Sequence, residues 1–325
     1  MTATISRRSL TAAALGLIAT GVPARAQAYP SRPIRLLVPF PPGGPTDLVA
    51  RVLAEKMGEL LGQAFVIDNR PGANGNIASE GAAKADPDGY TVLYNTSAIA
   101  LSPSLYARLN YDVVSDLEPV CLTAVVPLVL AVHPSVPAQT VAEFVAYAKA
   151  NPGKLNYGSA GAGNVTHLGA ALFLKSQGIE AVHVPFRGSA PALNALAGGH
   201  VQFIADTVNS AHPLITSGHL RALAILGTRR TPVLPNVPSL TEAGIDSKDI
   251  GAWQGIMVPA RTPADLVAKL NAAALAALAD PAVKAKLAVQ GAEPLGSTPA
   301  AYGTYVRDEI VRWAEVVKAS GVRIE

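Results

Sequence analysis

The residues best suited to chemistry in this chain lie in two glycine-rich turns, and the chemistry they suit is anion binding. The first is Pro39-Phe40-Pro41-Pro42-Gly43-Gly44-Pro45-Thr46-Asp47, set between the apolar run Ile34-Arg35-Leu36-Leu37-Val38 and an amphipathic stretch over 48–61. The second is Gly158-Ser159-Ala160-Gly161-Ala162-Gly163-Asn164-Val165-Thr166-His167, which again follows a strand-like run. Each pattern predicts a buried strand, a turn almost free of side chains, and a helix. A helix N-terminus carries unpaired N–H donors and the positive end of a dipole, so a small anion can settle against it. Pro42 and Pro45 stiffen the first loop, which lowers the ordering cost of binding. A third corner, Pro185-Phe186-Arg187-Gly188-Ser189, brings a cation, Arg187, that either pairs with the anion or faces water. Asp206 ends a further strand-like run and either lines the same cleft or caps the next turn.

Signatures of catalysis are missing. The chain has no G-x-S-x-G elbow, no H-E-x-x-H and no P-loop, and Thr166 stands where a dinucleotide fingerprint starting at Gly161 would need Gly or Ala. Histidines 133, 167, 183, 200, 212 and 219 lie at unrelated spacings, and His167 is expected to bond to local backbone. A hydrolase or transferase using Ser159 or His167 is therefore the weakest reading, because neither residue has a visible base or orienting acid. Binding is favoured, with no cofactor and no metal expected.

The elements that must position these turns follow from an alternation of strand-like and helix-like segments. After the first strand and helix come a strand over 64–68, the turn Asn69-Arg70-Pro71-Gly72-Ala73-Asn74-Gly75-Asn76, a small-residue helix to about residue 85, and a strand over 90–94 ending at Asn95-Thr96-Ser97. Thr140 and Glu143 form a capping box that opens a helix. A helix ending at Gly178 and strands over 182–186, 200–206 and 222–226 follow. Thr262-Pro263, Asp280-Pro281 and Thr298-Pro299 each place a cap residue before a proline at the first helical position. The last helix, over 299–319, spaces Tyr302, Val306, Ile310, Trp313 and Val317 as one apolar stripe for core packing. Such alternation argues for a mostly parallel sheet with helices on both faces. No Pro- or Ser-rich linker separates two halves, so two lobes joined by crossing strands are expected, with 120–132 and 251–259 as the crossings.

Residues 1–26 read as an export signal. Arg7 and Arg8 precede an uncharged stretch, and Ala24-Arg25-Ala26, or Ala26-Gln27-Ala28, supplies the cleavage pattern; Ser6-Arg7-Arg8-Ser9-Leu10 fits a twin-arginine signal as well as an ordinary secretory one. The full chain has 26 basic and 23 acidic residues; the leader holds three of the bases, Arg7, Arg8 and Arg25, and no acid, so the remainder carries 23 of each and no net charge. That balance implies no basic face, and nucleic acid is not an expected partner. Cys121, the only cysteine, lies in an apolar run and is expected to be buried and inert. The mature product is expected to be soluble.

Beside these readings stands a resemblance. Tyr29-Pro30-Ser31-Arg32-Pro33-Ile34, the loop from Val38 to Asp47, Asn69-Arg70-Pro71-Gly72-Ala73-Asn74-Gly75, Pro87-Asp88-Gly89-Tyr90-Thr91, Gly161-Ala162-Gly163-Asn164-Val165-Thr166-His167-Leu168, Val184-Pro185-Phe186-Arg187-Gly188 and the run from Trp253 to Pro259 with Thr262-Pro263 resemble the Bug-type substrate-binding proteins of tripartite tricarboxylate transporters. The resemblance spans essentially the whole chain after the leader. It implies an α/β, two-lobed periplasmic binding protein fold (type II), each lobe a mixed, mostly parallel sheet flanked by helices, with lobe 1 at 29–127 plus 252–325 and lobe 2 at 128–251. One carboxylate of the ligand would meet Phe40, Gly43, Gly44, Pro45, Thr46 and Asp47 together with Asn95, Thr96, Ser97 and Ala98. A second polar group would meet Ser159, Gly161, Gly163, Asn164, Thr166, Phe186, Arg187, Gly188, Ser189 and Asp206. The implied partners are a small carboxylate (a di- or tricarboxylate, or a related aromatic or amino acid) and the membrane permease subunits of such a transporter, or a sensor kinase instead; the protein is expected to be a monomer. Phe186-Arg187 replaces the Tyr-Lys frequent in the family, and Ser102-Pro103 replaces Asn-Pro; both departures bear on which ligand is held.

Overall fold

Residues 29–247 and 250–320 are described by the computed structural model of the chain; residues 1–26, expected to be an export signal, lie outside the described residues. The first half opens with β1 (Ile34–Val38), α1 (Pro45–Leu61), β2 (Phe65–Asn69), α2 (Asn76–Ala83), β3 (Thr91–Thr96) and α3 (Ala98–Leu105). A 16-residue strand, β4 (Leu117–Val132), leads to α4 (Val141–Ala150), β5 (Asn156–Ser159), α5 (Val165–Gln177), β6 (Val182–Pro185), α6 (Ser189–Ala197), β7 (Phe203–Thr207), α7 (Val208–Thr216) and β8 (Arg221–Ile225). The chain returns through β9 (Gly251–Pro259) to α8 (Ala264–Ala279), α9 (Pro281–Val289), β10 (Glu293–Pro294) and α10 (Pro299–Ser320).

These strands form one curled sheet in the order β2-β1-β3-β9-β4-β7-β5-β6, with β8 and β10 also paired to β4. The pairs β1–β2, β1–β3, β5–β6 and β5–β7 are parallel, while β9 runs antiparallel to β3 and to β4. Strand β4 changes partners along its length. Leu117 to Pro127 pair with β9, and Leu128 to Val132 pair with β7. Its side-chain alternation changes phase at the same point: Val126 and Val129 both face one core, whereas Leu128, Leu130 and Val132 face the other. A strand alternates faces with period two, so two same-face residues three apart mark a local irregularity where the strand passes from one half-sheet to the other.

The helices begin where local chemistry starts them. Helix α1 begins at Pro45, earlier than the amphipathic stretch suggests, because proline at the first position already has helical φ and its missing N–H costs nothing there. The capping box holds: Thr140 Oγ1 accepts from the Glu143 N–H, while Glu143 reaches back to the Gln139 N–H. Asp280 caps α9 as expected, accepting from the N–H groups of Ala282 and Val283. Thr262 does not cap α8. Its hydroxyl donates to the Pro259 carbonyl, and the helix starts at Ala264, one residue late, with Pro263 in the cap position.

Helix α10 lays Tyr302, Val306, Trp313 and Val317 into the core, with Ile310 half-buried. Glu309 on this helix is buried and paired: its Oε2 accepts from Trp253 Nε1 at 2.8 Å and Trp313 Nε1 at 2.9 Å, and its Oε1 meets Arg312. Cys121 is a free, buried thiol. No single helix among the described residues is long and apolar enough to cross a membrane.

The Tyr302 ring crosses directly over Gly255 of β9, so that its hydroxyl donates to Asn95 Oδ1 at 2.9 Å. A Cβ at position 255 would collide with the Tyr302 hydroxyl oxygen and with the ring carbon that bears it. Gly255→Ala is expected to destabilise the protein by about 1–3 kcal/mol, read by denaturant titration.

Candidate functional site

A cleft of about 510 Å³ opens where the two half-sheets meet. Five helices start on it. The first turns of α1, α3, α5, α6 and α7 all contribute lining residues: Pro45 and Thr46, Ala98, Val165 and Thr166, Ser189 and Ala190, and Asn209 and Ser210. First-turn N–H groups have no intrahelical acceptor; side chains take those of Ala98, Thr166 and Ser210, and the positive dipole ends of all five helices converge on the cleft. Arg187 is the one charged side chain on the lining among the described residues. Apolar surface completes the wall from Phe40, Leu48, Pro191, Leu193 and Ala252.

Of the residues singled out in the sequence, Phe40, Gly43, Gly44, Pro45, Thr46, Thr96, Ser97, Ala98, Asn164, Thr166, Arg187, Gly188 and Ser189 line the cleft. Asp47, Asn95, Ser159, Gly161, Gly163, Phe186 and Asp206 are not on that lining.

Asp47 shows what the second layer does. It is 1 % exposed and faces into its own loop: Oδ2 accepts from the Gly43 N–H and from Arg51 Nε, and Oδ1 from Asn69 Nδ2, at 2.8–2.9 Å. Burial alone would raise its pKa, but the hydrogen bonds from Arg51, Gly43 and Asn69 outweigh that and hold the carboxyl below its usual range. The first loop therefore works differently from the sequence reading. The Gly43 N–H is committed to Asp47, and the Gly44 N–H points to the Pro41 carbonyl at 3.4 Å. The donors left for a ligand are those of the first α1 turn, at Thr46 and Asp47.

On the opposite wall, Asn164 caps α5 by accepting from the Thr166 N–H, and Thr166 Oγ1 accepts from the Ala160 N–H at 2.9 Å. Asn164 Nδ2 also donates across the cleft mouth to Asn74 Oδ1 at 3.3 Å, and Asn74 Nδ2 donates to the Gly163 carbonyl at 3.4 Å. The two walls thus touch through uncharged groups. His167 bonds to local backbone as expected, its Nδ1 accepting from the Gly163 N–H.

Two arrangements were not visible in the sequence. Ser159 Oγ lies 2.7 Å from His183 Nε2, and His183 stacks on His167 with ring centroids 3.6 Å apart. Burial, then the neighbouring His183, lowers the His167 pKa to about 3; burial lowers that of His183 to about 4. The parallel register of β5 on β6 brings the pair together, setting Ser159 opposite Pro185. Ser159 is fully buried and off the cleft lining, and its hydroxyl also holds the turn at Gly161. The lining also gains Thr207, Asn209, Gln254 and Gln290, which no motif announced. Among the described residues, no three His, Cys, Asp or Glu side chains gather to hold a metal.

Residues 49–322 match the family described as the tripartite tricarboxylate transporter family receptor. Protein BugT of Bordetella pertussis is 38 % identical over 305 residues, covering 93 % of this chain and 94 % of that protein. R. palustris Rpa4515, solved with adipate, superposes with a TM-score of 0.86 at 38 % identity, covering 91 % of this chain and 99 % of that one. MatC (Rpa3494) from Rhodopseudomonas palustris, solved with bound malate, gives 0.80 at 35 % identity, covering 89 % and 100 %. The chain belongs to this receptor family of Bug-type periplasmic solute-binding proteins.

Asp206 generates a prediction. Its Oδ1 accepts from the Ser189 hydroxyl, the Thr207 N–H and the Thr207 hydroxyl, and burial pushes its pKa from 3.8 up to about 6. A carboxyl with a raised pKa in the folded state destabilises the fold when ionised. The loss is full above about pH 6 and vanishes below the unfolded value of 3.8. Asp206→Asn keeps the acceptor for all three bonds. Relative to its own value at pH 4, the variant is expected to gain on the wild type by on the order of 3 kcal/mol at pH 7.5, from a shift of about two pH units, less a pH-independent cost of the new Nδ2 donor where Oδ2 has no partner. Melting temperature against pH reads this directly.

Proposed function

We propose that this chain is a periplasmic binding protein that captures a small carboxylate between two lobes, residues 29–127 with 252–325 and residues 128–251, and hands it to the membrane subunits of a tripartite tricarboxylate-type permease. The observation that carries the reading is the convergence of five helix N-termini on one cleft whose lining holds a single cation and no acid. Neutral donors hold a carboxylate without leaving buried charges unpaired when the cleft is empty. The adipate and malate held by the two solved relatives support the same ligand class. Closure would occur by rotation where β4 and β9 cross, which is where β4 exchanges sheet partners. The burial of Ser159 away from the cleft lining supports binding over catalysis.

The test is a panel of malate, succinate, glutarate, adipate, benzoate and phthalate, measured by thermal shift and then calorimetry on the mature protein. At least one is expected to stabilise the protein, by about 2.7 kcal/mol at a hundredfold excess over Kd. A flat response across the panel defeats the reading. Asp47→Ala is expected to keep the fold and weaken binding about tenfold, because the loop loses the acceptor that holds Gly43 and Asn69.

A further inference from the structure

Three polar side chains lie buried together at the cleft floor, on three neighbouring strands: Tyr94 on β3, Thr123 on β4 and Gln254 on β9. Their placement depends on an irregularity. Leu122 pairs with Gly255 and Ala124 with Gln254, so Thr123 is an extra residue bulged out of the β4–β9 ladder. Bulges re-aim side chains, and this one directs the Thr123 hydroxyl onto the Gln254 carbonyl at 2.9 Å. Tyr94, which lies 3.1 Å from Thr123 Oγ1, donates its hydroxyl to Gln254 Oε1 at 2.9 Å. Backbone and side chain of Gln254 are both fixed by these bonds.

One end of that carboxamide is left over. Gln254 is fully buried and lines the cleft, and its Nε2 has no partner in the protein. Folded proteins rarely keep a buried donor unpaired without a use for it. A second amide is in the same condition: Asn209, in the first turn of α7, lines the cleft with Nδ2 unpartnered while its Oδ1 accepts from the Ser210 N–H. Thr96, the cross-strand partner of Gln254, lines the cleft beside it.

We propose that Gln254 is a ligand contact: from the crossing strand, its Nε2 donates to a carboxylate oxygen of the bound molecule. The inference rests on the carboxylate reading of the cleft. It places one ligand contact on β9, which pairs along the first part of β4, the strand that carries both half-sheets, so occupancy of the cleft is felt beside the strand on which the lobes turn. Asn209 supplies the matching donor from the far wall.

The experiment compares wild type with Gln254→Met and Gln254→Glu in calorimetry, using whichever panel carboxylate the wild type binds most tightly, after melts of the unliganded proteins. Gln254→Met, similar in length but with neither donor nor acceptor, is expected to weaken binding ten- to hundredfold at pH 7.5 and to lower the unliganded melt while keeping it cooperative, because Tyr94 loses its acceptor. Gln254→Glu is expected to weaken it further at pH 7.5, and its deficit relative to wild type should shrink as pH falls toward 5 and the new carboxyl gains an O–H to donate. Purely structural support would show no such pH-dependent recovery. Gln254→Met binding within threefold of wild type overturns the proposal, as does Gln254→Glu binding undiminished, since the cleft would then meet the amide oxygen. If Gln254→Glu does not fold, Gln254→Met decides alone. Wild type that binds no panel member overturns the carboxylate reading, and the role of Gln254 with it.

Discussion

The pairing of β4 with β9 is the interaction on which everything else in this protein depends. Those two antiparallel strands sit at the centre of the sheet order and are the means by which the chain leaves the first half-sheet and returns to it. Because β4 also pairs with β7 and β8 beyond Pro127, both walls of the cleft hang from one continuous strand. A single strand gives the walls a shared axis without a linker. The alternation of its side chains feeds a core on each face, so moving one wall means turning the strand and not breaking it.

Charge is arranged around that axis with economy. Asp47, Asp206 and Glu309 are all buried, and each is met by donors: Arg51, Asn69 and the Gly43 N–H for the first, Ser189 and Thr207 for the second, and two indoles with Arg312 for the third. None of the three lines the cleft. Acids are thus used off the cleft lining to hold loops and helices, while the polar part of the lining is built from helix starts, hydroxyls, amides and Arg187. An exposed Arg187 at the edge can attract an anion over distance, and the interior can hold it without a desolvated cation.

Much of this was legible in the residues. The Pro39 to Asp47 loop, the glycine turn before α5, the capping box at Thr140 and the Asp280-Pro281 start are local signals, decided by neighbours in sequence, and all are realised. What stayed hidden was decided by distant partners. The Gly43 N–H looks free in sequence because the acceptor that takes it depends on how Asp47 turns within α1. Gln254 reaches the cleft through strand register and a bulge at Thr123, neither of which leaves a motif. His183 meets Ser159 only because β5 and β6 pair in parallel across 24 residues of chain. Thr262 misled because a threonine before a proline is a sound cap signal, yet here the nearby Pro259 carbonyl takes its hydroxyl.

The shared carboxylate of Glu309 gives the molecule an optical property. The sequence has two tryptophans, and both indoles donate to the same oxygen, one from the central strand next to Gln254 and one from the last helix. The chromophores therefore sense one electrostatic environment, and displacement of α10 against β9 perturbs both together. Intrinsic emission of this protein reads the seam between its last helix and its central strand, free of any surface indole that would dilute the signal.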